Sequence, residues 1–257
     1  MTLRETRRDF NALAPVYDET RQPLDPGALR GLIDFLGERH LEEILEIGVG
    51  TGRIALPLVE GGVRLVGLDA SRGMLDRARR KGVPRLVEGS ATRLPFADRA
   101  FDATLFVHVL HILDEPAAGL REAGRVGREG VIAVMDRVVP ERDASSPRMS
   151  ARAIVRQVLT EAGYPNLLRP APRLREQAIL EAHPPTEVRV VSDREVTEPL
   201  SRQIDVIEKR AYRHLLSVPP EALARAVSAA RAQVGDRTVT YRRSEQVVRW
   251  GPESLPR

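Results

Sequence analysis

Apolar positions in the first half of the chain fall into short runs separated by polar, glycine-rich turns, and two spacings alternate. In "EEILEIG" (42–48), Ile44, Leu45 and Ile47 form a run too short for a helix and read as a buried strand. In "GRIALPLVEG" (52–61), Ile54, Ala55, Leu56 and Leu58 recur at the spacing of one helix face. The two patterns then return in turn. Strand "VRLVGLDA" (63–70) is followed by helix "RGMLDRARRKG" (72–82) and strands "RLVEGS" (85–90) and "FDATLFVHV" (101–109); helix "EPAAGLREAGRVG" (115–127) and strand "GVIAVMDRVV" (130–139) come next. Strands alternating with helices through short connections build βαβ units. The prediction is an α/β, Rossmann-like, doubly wound and mostly parallel sheet.

The flanks follow other patterns. Residues 1–40 are polar and helical in two pieces, broken by "RQPLDPG", and read as an N-terminal cap. After Pro140 the composition shifts to "PERDASSPRMS". Helical stretches at 149–163 and 172–182, a strand near 187–196, helices across 199–234 and a last strand "TVTYRRSEQVVRW" (238–250) then bring the strand count to seven. This divides the chain into a cap (1–40), an α/β core (41–140), an insertion (141–170), a return to the core (171–196), a helical lid (197–236) and a final strand with tail (237–257). "PAPRLRE" and "AHPPTE" mark loops, and no internal repeat or low-complexity tract is present.

Composition narrows the chemistry. The 257 residues suffice for one α/β domain with an appendage, and 42% apolar with 30% charged residues describes a soluble surface over a sizeable core. No apolar run approaches the ~18 residues of a membrane span, and "MTLRETRRDF" alternates charges where a signal peptide has its apolar stretch, so a cytoplasmic location is expected. The absence of cysteine excludes disulfides, thiolate metal sites and cysteine nucleophiles together. A net charge of +4 and a pI of 9.9 raise the question of nucleic acid. However, the 40 basic residues include only Lys81 and Lys209 as lysines and are interleaved with 36 carboxylates. Aromatics make up 4% and do not alternate with arginine, so nucleic-acid binding is not favoured.

The candidate chemistry lies at the first strand-to-helix turn, "ILEIGVGTGRIALPL". Gly48, Gly50 and Gly52 alternate there, and Glu46 stands two residues ahead of them. A dinucleotide fingerprint needs G-x-G-x-x-G instead. Asp69 closes the next strand, about 20 residues on, where a carboxylate can accept bonds from ribose hydroxyls or cap the following helix. Nicotinamide enzymes use a carboxylate in the same way, and a tight corner without ligand would also use glycine.

These residues resemble motif I and its partner acid in class I S-adenosylmethionine-dependent methyltransferases. "VEGSATRLPFADRAFDATLFVHVLHIL" is similar to that family's third and fourth elements, and Tyr17 in "FNALAPVYDE" to a tyrosine that borders its cofactor. The resemblance covers 41 to about 139 and points to the small-molecule, quinone-biosynthesis-like branch. It implies S-adenosylmethionine (product S-adenosylhomocysteine) held by Tyr17, Glu46, Gly48, Gly50, Gly52, Asp69, Ala70, Met74, Ser90, Ala91 and Val107. Ser90 stands where the family carries an aspartate on the adenine amino group, which implies weaker anchoring there or help from the Ala91 and Thr92 backbone.

The reaction implied is in-line methyl transfer to a small-molecule acceptor. Positioning can supply roughly 7 to 11 kcal/mol of such a barrier, so no covalent nucleophile is required. For an acceptor that must lose a proton, His108 and His111 are the candidates, three residues apart after the fourth strand and both expected towards the cofactor mouth. Asp136 follows the fifth strand and could border the acceptor. His183 and His214 are weaker candidates with no partner evident in the sequence, and Tyr212 or Arg213 could face the substrate, although a solvated charged face is favoured there. No His and carboxylate cluster shows metal-ligand spacing in the sequence, so no metal site is expected. The rival readings are a non-catalytic cofactor-binding or regulatory protein and an RNA methyltransferase. Nothing in the sequence names the acceptor or the oligomeric state.

Overall fold

The alternating runs become one seven-stranded sheet: β1 (Glu43–Ile47), β2 (Arg64–Asp69), β3 (Leu86–Glu88), β4 (Ala103–Val107), β5 (Val131–Asp136), β6 (Glu187–Pro199) and β7 (Thr238–Trp250). A computed structural model describes residues 9–21, 24–136, 151–164, 172–210, 212 and 215–256. The strand order is β3-β2-β1-β4-β5-β7-β6. Neighbours from β3 to β5 pair in parallel, and β7 runs antiparallel to both β5 and β6. The sheet is therefore mostly parallel, as the alternation predicts. Chain order reverses between β1 and β4, which opens a crevice beyond their carboxyl ends, the usual ligand position in such sheets.

β1 and β4 are nearly continuous apolar runs because helices cover both faces of the sheet. On one face α1 (Pro26–Gly37), α2 (Ala55–Glu60) and α3 (Arg72–Lys81) bury Phe35, Leu58 and Ala78 against Ile44 and Leu105. On the other, α4 (Pro116–Val126) buries Leu120 and Val126 against Leu45, Phe106 and Trp250. Capping fixes where these helices begin. Asp25 accepts hydrogen bonds from the Gly27 and Ala28 amides ahead of α1, and Ser71 accepts one from Met74 ahead of α3.

Three further helices, α5 (Ala151–Glu161), α7 (Leu200–Glu208) and α8 (Pro220–Val234), form an apolar cluster of their own. Ile154, Ile204 and Ala226 are buried in it, so the described part of the expected insertion packs with the expected lid helices. Between them in sequence, α6 (Pro172–Ala182) instead carries Ile179 into the sheet's second core. β6 runs three residues past its expected end, to Pro199, because it continues as a two-stranded ribbon with β7 beyond the edge of β5. The shifted composition at 140–150 lies outside the described residues, as do 165–171, Arg213 and His214.

Candidate active site

The glycine turn does two different jobs. Gly48, Gly50 and Gly52 all have positive φ, at 77°, 57° and 74°, a region other residues enter only at a cost. A Cβ on Gly48 would stand 2.7 Å from a Val109 methyl, and one on Gly52 2.6 Å from a Val83 methyl. At Gly50 the nearest atom would be a carbonyl oxygen 4.0 Å away. The outer glycines thus admit neighbouring side chains, and the middle one leaves space open.

That space belongs to a cavity of about 300 Å³ at the switch point, within the range of small-molecule sites. Four successive loops line it: Glu46, Gly48 and Gly50 after β1; Asp69, Ala70 and Met74 after β2; Ser90 and Ala91 after β3; Val107 and His108 at the end of β4. Tyr17 closes it from the N-terminal segment. Eleven residues singled out from the sequence therefore meet in one cavity.

Asp69 organises two of these loops. Its carboxylate accepts hydrogen bonds from the Gly50 amide at 2.9 Å and the Ser71 amide at 2.8 Å. Burial pushes its carboxyl above the ordinary range, and the amides of Ser71, Gly50 and Ala70 oppose that rise. The cap of α3 is Ser71, so the capping role considered for Asp69 falls to a neighbour. Ser90 bonds Thr92 Oγ1 at 3.0 Å and accepts the Thr92 amide at 3.3 Å, which shapes the third loop locally.

Glu46 is the strongly perturbed group. It is 2% exposed, and one of its oxygens has no hydrogen-bond partner. Burial drives its pKa up to about 8; the charge of Arg53 opposes the rise and that of Asp69 adds to it. Arg53 also lines the cavity.

Two expected positions differ. Gly52 does not line the cavity, because it lies against Ala78 and Val83 of the α3 side, where its missing side chain lets helix and loop meet. His111 does not line it either. The chain makes a 3-10 turn at Leu110–Ile112 rather than a full helical turn, and His111 Nδ1 shares a 2.7 Å hydrogen bond with Glu176 Oε1 of α6. His108 and His111 therefore diverge. His108 stays on the cavity with a left-handed backbone (φ 54°). Asp136 is exposed at the end of β5, and the His183 carbonyl accepts the Trp250 indole N–H at 2.7 Å.

Several residues of the site carry no sequence signal of their own. Phe10, Thr51, Ile112 and Leu113 line the cavity as ordinary apolar or loop positions. Asp18 latches the N-terminal segment shut: it accepts from Thr51 Oγ1 at 2.5 Å and pairs with Lys81 at 2.8 Å. Burial raises its pKa, but the bonds from Lys81 and Thr51 and the charges of Lys81 and Arg77 outweigh that and hold it below the ordinary range. Asn11 adds a second tie, accepting from the Gly73 amide and Ser71 Oγ, each at 2.8 Å. Arg53 alone offered a hint, as a basic residue opening the apolar helix after the glycines.

A glycine turn and a partner acid stand together at the switch point of a sheet with one antiparallel strand, the usual ligand position in such sheets. Residues 45–135 match the family described as "Methyltransferase domain". The demethylmenaquinone methyltransferase of Beutenbergia cavernae is 39% identical over 126 residues, covering 47% of this chain and 52% of that protein. The one from Corynebacterium kroppenstedtii is 37% identical over 134 residues, covering 49% and 57%. The chain thus spans about half the length of the curated relatives it matches. Among solved structures, the [4+2]-cyclase SpnF superposes with a TM-score of 0.54 at 18% identity over 98% of both chains. YcgJ from Bacillus subtilis gives 0.52 at 18%, over 87% of this chain and 98% of that one. These two likenesses show the fold alone.

Proposed function

We propose that the protein transfers the methyl group of S-adenosylmethionine to a small-molecule acceptor, with quinone-type aromatics the first class to test because the matched relatives are demethylmenaquinone methyltransferases. The observation that carries the reading is the open face of Gly50 beside Asp69 in a cavity at the switch point. The residues fit the cofactor. The backbone at Gly48 and Gly50 would meet its methionine part, Glu46 and Arg53 would face the ammonium and carboxylate there, and Asp69 has lone pairs that would serve the ribose hydroxyls. Ser90 and Ala91 border the adenine. When bound, the cofactor supplies an electrophilic methyl on a sulfonium. The chain's part is to hold the acceptor in line with that methyl and to exclude water, which Tyr17 and the latched N-terminal segment do at one wall. His108 is the polar residue of the β4 end on the acceptor side. Arginine interleaved with carboxylates gives no support for an RNA substrate, and among the described residues no helix is long and apolar enough to cross a membrane.

Calorimetry with S-adenosylmethionine, S-adenosylhomocysteine and NAD(H) tests the cofactor. Micromolar-range binding of the first two is expected. Tight binding of NAD(H) with none of the sulfonium compound refutes the reading. Incubation with methyl-labelled cofactor and a panel of hydroxylated aromatics, read by mass spectrometry, then identifies the acceptor.

A further inference from the structure

Three side chains far apart in sequence converge at the edge of the cavity that His108 lines. His108 follows β4, Asp136 ends β5, and Glu245 lies in β7 directly across from Asp136 in the antiparallel register. One ligand atom from each lies within 4.8 Å of the others. Ligands at about 2.0 to 2.2 Å from one ion would have to stand closer together than this bound, so the site would tighten on binding.

The environment of Glu245 is the second observation. Its side chain is 0% exposed. Arg243 donates to Oε1 from 3.0 Å, while Oε2 has no partner. His108 Nε2 is likewise buried without a hydrogen-bond partner, and it sits 3.7 Å from Glu245 Oε1, beyond hydrogen-bond reach. Two buried polar atoms left unsatisfied side by side are costly unless something binds between them. A neutral imidazole and two carboxylates carry a charge of −2, of which Arg243 offsets a part.

We propose that His108, Asp136 and Glu245 bind a first-row divalent cation. The mixed nitrogen and oxygen donors suit Mn²⁺, Fe²⁺ or Zn²⁺ better than Mg²⁺ or Ca²⁺. Three protein ligands leave coordination positions open, as catalytic rather than structural sites do. His108 lines the cavity, so a coordination position left open beside it would face that side. On the methyl-transfer reading, on which this clause rests, it holds a hydroxyl or enol oxygen of the acceptor. The sequence expectation of no metal site came from local spacing, which cannot register ligands contributed by three separate strands. The competing arrangement is an ion pair between protonated His108 and Glu245, which takes up no cation.

The full-length chain, treated with EDTA and dialysed, is titrated with MnCl₂ and separately with ZnCl₂ by calorimetry, without methyl donor. One site of micromolar affinity is expected. Asp136→Asn, at an exposed position, and Glu245→Gln should each weaken it at least about tenfold, equivalent to roughly 1.4 kcal/mol. Broadened Mn²⁺ resonance in the wild type, restored to the free-ion signal in Asp136→Asn, reads the same event by a second method. No uptake of either ion by the wild type, or an unchanged dissociation constant in folded Asp136→Asn, overturns the proposal. Donor binding is measured on the same EDTA-treated protein. A chain that binds cation but no donor supports the metal site while refuting methyl transfer, and one that binds donor but no cation does the reverse.

Discussion

Glu46→Gln replaces a buried acid by its uncharged isostere. In the folded protein Glu46 holds its proton to about pH 8, against 4.5 for an ordinary glutamate. The unfolded chain releases that proton from about pH 4.5 upwards, so between these values the unfolded state binds fewer protons than the folded one. Stability from this group is therefore complete below about pH 4.5 and declines as pH rises to about 8, where it levels off. At roughly 1.4 kcal/mol per pH unit the whole span is worth at most about 5 kcal/mol. Relaxation around a newly formed charge, with Arg53 nearby, reduces this to about 2 kcal/mol at pH 7.5. Glutamine carries no such penalty.

Melting curves of the donor-free wild type and variant at pH 5 and 7.5 check this. The two should melt together at pH 5. At pH 7.5 the variant should melt roughly 4 to 8 °C higher for a 2 kcal/mol gain. The same change should weaken S-adenosylmethionine binding at least about tenfold, because the carboxylate facing the donor's cationic end is gone. A Tm difference that is the same at both pH values refutes the assignment of a neutral Glu46 in the free protein.

Gly50→Ala should lower donor affinity about tenfold and cost roughly 1 to 2 kcal/mol of stability for a left-handed alanine, whereas Gly52→Ala, 2.6 Å from Val83, should lose stability while the folded protein binds normally. Calorimetry beside thermal melts separates the pair, and equal affinity losses in both would refute the division of roles. Asp69→Asn, which keeps an acceptor for only one of the two loop amides because Gly50 and Ser71 bond different carboxylate oxygens, should weaken donor binding by roughly 1.5 to 3 kcal/mol; an unchanged dissociation constant in the folded variant would refute a donor contact at Asp69. His111→Phe should cost roughly 1 to 3 kcal/mol of stability by leaving buried Glu176 unpaired, with donor affinity intact. Donor binding lost in a folded His111→Phe would return His111 to the site.

What could be read from the sequence tracks how locally each feature is encoded. β1, β2, β4 and β5 stand between helices on both faces, so their burial leaves apolar runs that announce strands directly. The end of β6 was less visible: its outer half alternates "SDREVTE" with little burial, since only β7 pairs with it there. The three-helix cluster of α5, α7 and α8 shows the same limit. Each helix face was legible, but the partner of the first lies about forty residues away and no periodicity names it.

The two ends of the cavity differ for the same reason. The end proposed for the cofactor is built from consecutive strand-to-helix turns, so Glu46, Gly50 and Asp69 occur at short, fixed separations that backbone geometry imposes and a sequence displays. Beside the His108 edge of the cavity stands Glu245 of β7, which enters the sheet beside β5 after more than a hundred residues. Glu245 is one acid among 36 in the sequence, and only the register that sets it opposite Asp136 gives it meaning. Likewise the three-residue spacing of His108 and His111 suggested a shared direction, and a left-handed residue followed by a 3-10 turn sent them apart. A sheet of this kind can thus keep its cofactor loops while late strands and helices recast the acceptor side. On the proposed methyl-transfer reading, the match of about half of the chain to demethylmenaquinone methyltransferases supports the donor more firmly than the acceptor, which is to be sought through residues outside the matched segment, such as Glu245 of β7.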